Sequence, residues 1–324
     1  MRAVICNELG PPSLLRVEER PDPEPRPGQV VVDVEAAGVN YVDALFVAGQ
    51  YQIKPPVPFV PGTESAGKVS GVGDGVDDVA LGERVLVSAG LGGFASKVAA
   101  AASAVTTLPD VLDSARAATF NQSYSTCLYA LRDRAAVQVG ESVLVLGAGG
   151  GIGLAAIGVA RALGCRVLGA ASSDEKRAAA LAAGAEAVLD PGAEPVKDAA
   201  RSWAGGTGVD VVIDPVGGAL AEASLRALGD RGRYCVIGFA AGEIPSIPLN
   251  QVLLRNRTVL GIDWGIWAMQ HADAQRALLR DLLDMVAEGR IDPVRPNEYP
   301  LQDVALALED LLGRRVVGKV ALIP

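Results

Sequence analysis

A glycine-rich turn near the middle of the sequence limits the choice of fold more than any other motif. The segment VLVLGAGGGIGLAAIGVARALG starts at Val143 with an apolar run, continues with glycines and ends in an Ala-rich run. The usual G-x-G-x-x-G spacing, counted from Gly147, ends on Ile152 and therefore fails. A shifted G-x-x-G-x-x-G spacing fits Gly147, Gly150 and Gly153. We predict a strand, a tight turn and a helix in this order.

Such a turn is typical of a site that binds a dinucleotide. Backbone N–H groups and the positive end of the helix would face a pyrophosphate. A residue without Cβ lets the backbone approach a phosphate, and Gly153 lets the helix pack closely on the strand. A tight turn that binds no ligand is the alternative interpretation. The residues assigned to the cofactor here are Gly147, Ala148, Gly150, Gly151, Ile152 and Gly153.

The end of the following strand bears on which dinucleotide binds. Sites that prefer NAD usually place Asp or Glu there, whereas this chain has Ser172 and Ser173. Two hydroxyls followed by Lys176 suit a 2′-phosphate, which predicts a preference for NADPH. Alternatively, Ser173 is a helix N-cap, and Asp174 and Glu175 are first-turn residues favoured by the helix dipole. The two interpretations can both hold.

From about residue 120 onward, strand-like and helix-like runs alternate. Helical segments such as SSDEKRAAALAAGA lie between several of the strand candidates. This alternation predicts an α/β fold, a doubly wound parallel sheet covered on both faces. The strand candidates are Val143–Gly147, Arg166–Ala170, Ala187–Asp190, Val209–Asp214, Arg233–Gly238 and Val259–Asp263.

The two ends of the chain differ from this central part. Short β-rich runs begin at Val30, Glu64 and Glu83, separated by Gly and Pro clusters. The proline-rich stretches 21–28 and 54–62 can be neither helix nor central strand. The C-terminal part has one long helical segment and a mixed tail. We therefore predict that a nucleotide-binding domain, residues 120–263, is inserted into a second domain made of residues 1–119 and 264–324.

Composition excludes several classes of function. The net charge of −9 argues against a nucleic-acid partner. No run approaches the roughly 20 apolar residues that span a bilayer, and no signal peptide is expected at the N-terminus. The four cysteines are far apart, so neither disulfides nor a cysteine metal site is expected. His271 is the only histidine, which rules out a mechanism based on a histidine pair.

Several motifs in a fixed order resemble the zinc-independent medium-chain dehydrogenases/reductases of the NADPH:quinone oxidoreductase, or zeta-crystallin-like, type. The resemblance covers essentially the full length of the chain. It implies a Rossmann domain inserted into a GroES-like catalytic domain, with the active cleft between the two. The motifs are AAGVNYVDALFVAGQY (36–51), PFVPGTESAGKV (58–69), GERVLV (82–87), GAGGGIG (147–153), DPVGG (214–218), GRYCVIGFAAGEIP (232–245), GIDWG (261–265) and the closing VVGKVALIP.

The resemblance also implies the catalytic residues. Asn40, Asp43 and Tyr51 would line the cleft near the nicotinamide. Asn40 and Tyr51 could donate hydrogen bonds to the substrate, and Asp43 would orient its neighbours rather than act as a base. The alternative is that all three are structural, with Asx-type bonds for the first two and packing for Tyr51.

Further cofactor contacts follow from the same resemblance. Thr126 would lie on a helix that faces the nicotinamide. Phe239 and Ala240 after the fifth strand, and Trp264 after the sixth, would lie beside the ring or at a dimer edge. Core packing is an equal alternative for Phe239 and Trp264.

The positions of the family's zinc ligands predict metal-free chemistry. Zinc-binding relatives carry Cys where this chain has Asn40, and His where it has Thr63. The stretch ERVLVSAGLGGFASK, where they begin a four-cysteine lobe, contains no cysteine. Glu64 remains, but one carboxylate does not make a zinc site.

The resemblance implies metal-free, NADPH-dependent reduction of a quinone or an α,β-unsaturated carbonyl compound. A 2-enoyl thioester reductase and a non-catalytic NADPH-binding or structural protein are the alternatives. We further expect a cytoplasmic homodimer with a small-molecule substrate and with neither nucleic acid nor membrane as a partner.

Overall fold

The computed structural model describes all 324 residues and divides them into two compact units. The first unit comprises Met1–Gln122 and Arg295–Pro324, and the second comprises Ser123–Val294. The strands are β1 (Arg2–Ile5), β2 (Arg16–Glu19), β3 (Gln29–Val39), β4 (Glu64–Val72), β5 (Arg84–Val87), β6 (Lys97–Ala101), β7 (Val105–Thr107), β8 (Ser142–Leu146), β9 (Arg166–Ala170), β10 (Ala187–Leu189), β11 (Val209–Asp214), β12 (Leu228–Val236), β13 (Thr258–Gly261), β14 (Asn297–Pro300) and β15 (Val320–Ile323).

Eleven helices accompany these strands. They are α1 (Tyr41–Val47), α2 (Ser114–Ala118), α3 (Asn121–Leu128), α4 (Gly151–Ala162), α5 (Asp174–Ala182), α6 (Val196–Trp203), α7 (Leu220–Ala227), α8 (Asn250–Leu253), α9 (Trp264–Gln270), α10 (Ala272–Ala287) and α11 (Val304–Leu312). None of them combines the length and the apolar character needed to cross a bilayer.

The first unit is built on a seven-stranded sheet in the order β14-β15-β3-β4-β5-β7, with β6 also paired to β3. β3 is antiparallel to β4, β6 and β15, so the C-terminal strand joins the sheet formed by the N-terminal part. Val30, Val32 and Val34 alternate along β3 and belong to one buried apolar cluster. The proline-rich stretches contribute no strand, as their sequence predicts.

The second unit contains a six-stranded sheet in the order β10-β9-β8-β11-β12-β13, and all of its strand pairs are parallel. This confirms the predicted doubly wound α/β fold. β12 begins at Leu228, five residues before the predicted start at Arg233. The order of the strands along the sheet reverses between β8 and β11, and ligands of such sheets bind beyond the carboxyl ends of the strands at that point.

The second unit extends to Val294, whereas the sequence analysis assigns residues from 264 onward to the other domain. Three contacts tie this segment to the second unit. Gln275 donates to the Ser125 hydroxyl (3.5 Å), Arg132 pairs with Asp281 (2.7 Å) and Arg290 donates to the Ala162 carbonyl (3.0 Å). The sequence of an amphipathic helix such as α10 indicates that one face is buried. It does not indicate which domain that face packs against.

Candidate functional site

The glycine turn links β8 to α4 as the sequence predicts. Gly147 follows the strand with φ +59°, a left-handed conformation that favours glycine. Gly150 is the N-cap of α4, and no side chain caps the helix there. Backbone N–H groups at such an uncapped N-terminus attract an anion, because the helix dipole is positive at this end.

Two glycines of the turn serve different purposes. A Cβ on Gly153 would lie 2.2 Å from the Gly147 carbonyl oxygen and 2.7 Å from the Ala148 Cα, so only glycine fits there. A Cβ on Gly150 would meet nothing nearer than the Gly147 oxygen at 3.4 Å. Gly153 therefore allows close packing of the helix on the turn, whereas Gly150 leaves room for a phosphate. The turn fits a dinucleotide pyrophosphate.

The segment after β9 packs against this turn through the stem of a lysine. The Ser173 hydroxyl accepts a hydrogen bond from the Lys176 backbone N–H (3.3 Å), so Ser173 caps α5, and Ser172 is exposed. A Cβ on Gly149 would lie 2.4 Å from the Lys176 Cβ, which places Lys176 directly against the glycine turn. The capping role of Ser173 leaves its O–H free to rotate toward a ligand.

Arg177 is a structural residue that the sequence analysis missed. Its guanidinium donates to the Ala171 carbonyl (2.8 Å) and pairs with Asp174 (2.6 Å) and Asp190 (2.9 Å). These pairs neutralise two carboxylates that would otherwise repel an anionic ligand at the end of β9. The spacing of Asp174 and Arg177, three residues apart on α5, was the only signal in the sequence.

A third segment beside the turn is the loop after β11. Asp214 is buried and accepts hydrogen bonds from the backbone N–H groups of Val216 (2.7 Å) and Gly217 (2.8 Å). The Tyr234 hydroxyl donates to its other oxygen (2.5 Å), and burial raises the pKa of Tyr234. A Cβ on Gly147 would lie 2.9 Å from Val216, so the loop adjoins the glycine turn. Asp214 thereby holds the DPVGG motif in place.

Phe239 and Ala240, which the sequence analysis assigns to the cofactor, lie beside the loop after β11. The Ala240 N–H donates to the Pro215 carbonyl (3.1 Å), and a Cβ on Gly217 would lie 2.9 Å from the Phe239 ring. Phe239 is 37% exposed, so its ring is not packed in the apolar core. The glycine turn, the loop after β11 and the segment containing Phe239 and Ala240 therefore meet at the carboxyl edge of the sheet.

The other two predicted cofactor residues are buried. The Cys127 thiol contacts the Ile152 carbonyl (3.5 Å), so α3, which also carries Thr126, packs on the start of α4. Trp264 is buried at the start of α9, and its indole N–H is bonded to Gln275 on α10. This geometry favours the packing interpretation of Trp264.

Asn40, Glu64 and Lys319 form a buried polar cluster in the first unit. The Asn40 amide donates to a Glu64 oxygen (2.9 Å), and the Lys319 ammonium donates to the Asn40 amide oxygen (2.5 Å) and lies 3.8 Å from Glu64. Glu64 also accepts from the Gln122 backbone N–H (2.9 Å). Burial raises the pKa of Glu64, although Lys319 lowers it. Lys319 lies in the closing VVGKVALIP motif, but the sequence analysis assigned it no role.

Asp43 lies beneath Asn40 and has no exposed surface. One carboxylate oxygen accepts from the Asn40 N–H (2.7 Å), which belongs to the capping box of α1, and the other accepts from the Thr63 N–H (3.0 Å). Burial raises its pKa to about 7, against the opposing effect of these hydrogen bonds. A fully buried carboxylate does not line a cleft, which corrects the predicted location. Asp43 positions its neighbours, as the sequence analysis also considered.

Tyr51 lies beyond the end of α1 and is half-buried. Its ring packs on Phe46 with 4.6 Å between the ring centroids and an angle of 52° between the planes. This packing contact accounts for the position of the ring and leaves a polar hydroxyl at its tip.

The side chains of the chain do not match a zinc site. No three His, Cys, Asp or Glu residues come close enough together to hold a metal ion. The positions that the sequence analysis compares with zinc ligands hold Asn40 and Thr63, and Glu64 is engaged in the buried polar cluster. All four cysteines are buried free thiols.

Comparisons with known proteins match both units. Residues 26–110 match the family described as alcohol dehydrogenase GroES-like domain, and residues 151–282 match the family described as zinc-binding dehydrogenase. The chain is 37% identical over 323 residues to quinone oxidoreductase-like protein 2 of Bos taurus, covering 99% of this chain and 92% of the relative. It is 34% identical over 328 residues to the quinone oxidoreductase of Homo sapiens, covering 100% of this chain and 98% of the relative.

Solved structures agree with these relatives. The quinone oxidoreductase of Escherichia coli, solved in complex with NADPH, superposes with a TM-score of 0.90 at 29% identity, with all of both chains covered. A mycobacterial protein, also solved with NADPH, superposes with a TM-score of 0.91 at 32% identity, again over all of both chains.

Proposed function

This chain belongs to the medium-chain dehydrogenase/reductase family, and on that premise we propose that it transfers a hydride from NADPH to a quinone or an α,β-unsaturated carbonyl compound without a metal ion. It is an oxidoreductase, as its relatives are by name. The packing of the Lys176 side-chain stem against the glycine turn carries the proposal, because from there its ammonium can reach an anion at the uncapped N-terminus of α4.

The residues of the second unit divide the binding of NADPH between them. Backbone N–H groups at the start of α4 would hold the pyrophosphate, and Lys176 with the hydroxyls of Ser172 and Ser173 would hold the 2′-phosphate. The ion pairs of Arg177 with Asp174 and Asp190 reduce the negative charge at this edge. When bound, NADPH supplies the hydride.

The first unit would supply the groups that polarise the substrate carbonyl. An Asn side chain carries two N–H donors, and Glu64 takes one of those of Asn40. The other can donate to an oxygen on which negative charge develops. Lys319 strengthens this donor, because its positive charge 2.5 Å from the Asn40 amide oxygen polarises the amide. The Tyr51 hydroxyl is the second donor we assign to the substrate.

A turnover assay tests the proposal directly. Oxidation of NADPH, followed by its absorbance, is measured with purified protein against quinones, alkenals, cyclic enones and 2-enoyl thioesters, each with and without a chelator. We expect turnover of quinones or enones that the chelator leaves unchanged. Loss of activity with the chelator would contradict metal-free chemistry. Turnover of thioesters alone would select the enoyl thioester reductase, and binding of NADPH without turnover of any acceptor would select the non-catalytic role.

Lys176→Ala tests the choice of cofactor. A hydrogen bond to a charged group contributes about 1.5–3 kcal/mol, which corresponds to a rise of roughly 10- to 160-fold in the dissociation constant. We expect that rise for NADPH and no change for NADH, measured by calorimetric titration. Lys68→Ala, which removes an exposed lysine of the first unit, is the matched control. Equal affinity of the unmodified protein for NADH and NADPH would contradict the assignment.

A further inference from the structure

A cavity in the second unit concentrates positive charge in a chain whose net charge is −9. Its volume is about 280 Å³, and five cationic side chains line it: Lys197, Arg201, Arg226, Arg255 and Arg257. We call it the basic cavity. The first three come from α6 and α7, and the last two follow α8. None of the five belongs to the proposed cofactor site.

The basic cavity lies at the amino ends of the strands, whereas the glycine turn lies at their carboxyl ends. Arg201 and Arg257 both donate to the carbonyl of Leu228, the first residue of β12 (3.4 and 2.9 Å). In a parallel sheet all amino ends lie at one edge and all carboxyl ends at the other, and the glycine turn follows the carboxyl end of β8. The two sites are therefore separate.

Carboxylates of the chain balance only part of this charge. Lys197 lies 3.3 Å from Asp198, and Arg226 lies 3.9 Å from Glu222. Arg201, Arg255 and Arg257 have no carboxylate within ion-pair distance. The guanidinium groups of Arg201 and Arg257 donate to main-chain carbonyls, which satisfy hydrogen bonds but bring no negative charge.

Arg257 shows the imbalance most clearly. Its side chain is only 7% exposed, and its Nε has no hydrogen-bond partner. Burial and the neighbouring guanidinium groups of Arg255, Arg201 and Arg226 lower its pKa. A buried charge is costly when nothing of opposite charge accompanies it, so an arginine in this position needs a counter-ion.

The backbone that carries these arginines is itself unusual. Arg255 has a φ of +81°, which is unfavourable for a residue other than glycine, and Asn256, a residue that tolerates the left-handed region, follows at +54°. The Arg231 N–H donates to the Arg255 carbonyl (2.7 Å) and holds this turn in place. Two consecutive left-handed residues thus place both Arg255 and Arg257 in the wall of the cavity.

We propose that the basic cavity binds a small, multiply charged oxyanion of the phosphate class. Guanidinium groups match the geometry of phosphate oxygens and form two hydrogen bonds at once. The cavity is slightly smaller than the roughly 300–1,000 Å³ of pockets that enclose organic ligands, so it suits a phosphate or pyrophosphate group rather than a whole metabolite. The anion would supply the negative charge that Arg201, Arg255 and Arg257 lack.

Calorimetric titration at constant ionic strength tests this site. Phosphate, pyrophosphate and glycerol 2-phosphate are titrated into the protein with excess NADPH present, so that the glycine turn does not compete for them. Arg201→Gln and Arg255→Gln each remove one charge from the cavity. Arg280→Gln removes an exposed arginine of α10 that has no carboxylate partner and is the matched control. Circular dichroism verifies that each variant is folded.

We expect saturable binding to the unmodified protein and to Arg280→Gln, a loss of at least tenfold in either cavity variant and no binding in the double variant. Tighter binding of glycerol 2-phosphate than of phosphate identifies an organic phosphate as the ligand source, and the reverse identifies the free anion. Absence of binding, or equal affinity in all variants, overturns the proposal. The proposal is also overturned if no anion binds and a cavity variant differs from the unmodified protein in the mass measured by sedimentation. A second copy of the chain would then balance the charge. Failure of NADPH to bind would be seen in the NADPH titration and would not affect the comparison of anion affinities among the variants.

Discussion

At the scale of single residues, the first unit buries a group of polar and ionisable side chains. Asn40, Glu64 and Lys319 satisfy one another, and Asp43 holds the backbone of Asn40 from below. Each group is stable in this place only because its partners are present, since an unpaired buried charge is costly. The amide that we assign to the substrate is therefore oriented by charges behind it.

Replacing Lys319 should show how strongly this cluster is coupled. Lys319→Met leaves the Glu64 carboxylate buried without its cation, and we expect the free energy of unfolding to fall by about 3–5 kcal/mol. Adding Glu64→Gln should recover most of this loss, because the Asn40 amide can then rotate and accept from Gln. Urea unfolding of both single variants and the double variant measures the coupling energy. Additive effects of the two substitutions would contradict the coupling.

Asp43 should make stability depend on pH. Its pKa is about 7 in the folded chain and near 3.8 when exposed, so between these values the folded state binds a proton that the unfolded state does not. The contribution of Asp43 is therefore largest below pH 4, falls by about 1.4 kcal/mol per pH unit as the pH rises, and levels off above 7. Asp43→Asn cannot titrate and should lack this slope. Unfolding curves from pH 4.5 to 8 compare the two proteins, and parallel profiles would contradict the assignment.

At the scale of secondary structure, the unit formed by β8, the glycine turn and α4 is the best-defined element of the site. Its strand, its N-cap at Gly150 and its close contact at Gly153 all depend on residues within a few positions of one another. Such local geometry is readable from the sequence. Its neighbours, Lys176 and Val216, come from later elements and complete the site.

Two glycines of α4 provide a matched test. In Gly153→Ala the new methyl group would overlap the Gly147 carbonyl, so we expect loss of NADPH binding and lower stability. In Gly158→Ala it would meet only the Tyr124 ring at 3.8 Å, an ordinary contact, and the helix should gain about 0.5–1 kcal/mol. Thermal unfolding and NADPH titration measure both variants. Normal NADPH binding by Gly153→Ala would refute the role of that glycine.

At the scale of the whole molecule, the six-stranded sheet ends in a strand, β13, with an unpaired outer side. Val259 on this strand and Leu249, Leu253 and Ile244 before it are exposed. An apolar strand edge of this kind pairs readily with another chain, and we predict that two copies of this chain associate through it.

Val259→Lys should separate the two copies. A lysine on β13 would place a charge in the expected interface, where like charges from both copies would meet. Sedimentation velocity of the unmodified protein should give twice the mass of the chain, and Val259→Lys should shift it toward the single chain. Leu181→Lys, on α5, alters a side chain of similar exposure (46% against 41%) and should have no effect. A dimer that withstands Val259→Lys would contradict this interface.

The amino-acid sequence alone determined the family, the doubly wound sheet, the position of five of its six strands to within one or two residues and the turn that starts α4. The sheet and the turn depend on periodicity and on glycine spacing, which act over a few residues, whereas the family rests on the resemblance of its motifs. The sequence also pointed to Asn40 but not to the reason for its orientation.

Only the tertiary structure decided which distant groups meet. Lys319 bonds to Asn40 from 279 residues away, α10 packs with the second unit, and five cations gather around one cavity. The physical reason is that the partner of a buried charge or an apolar helix face is set by the packing of whole elements, which leaves no periodic trace in the chain.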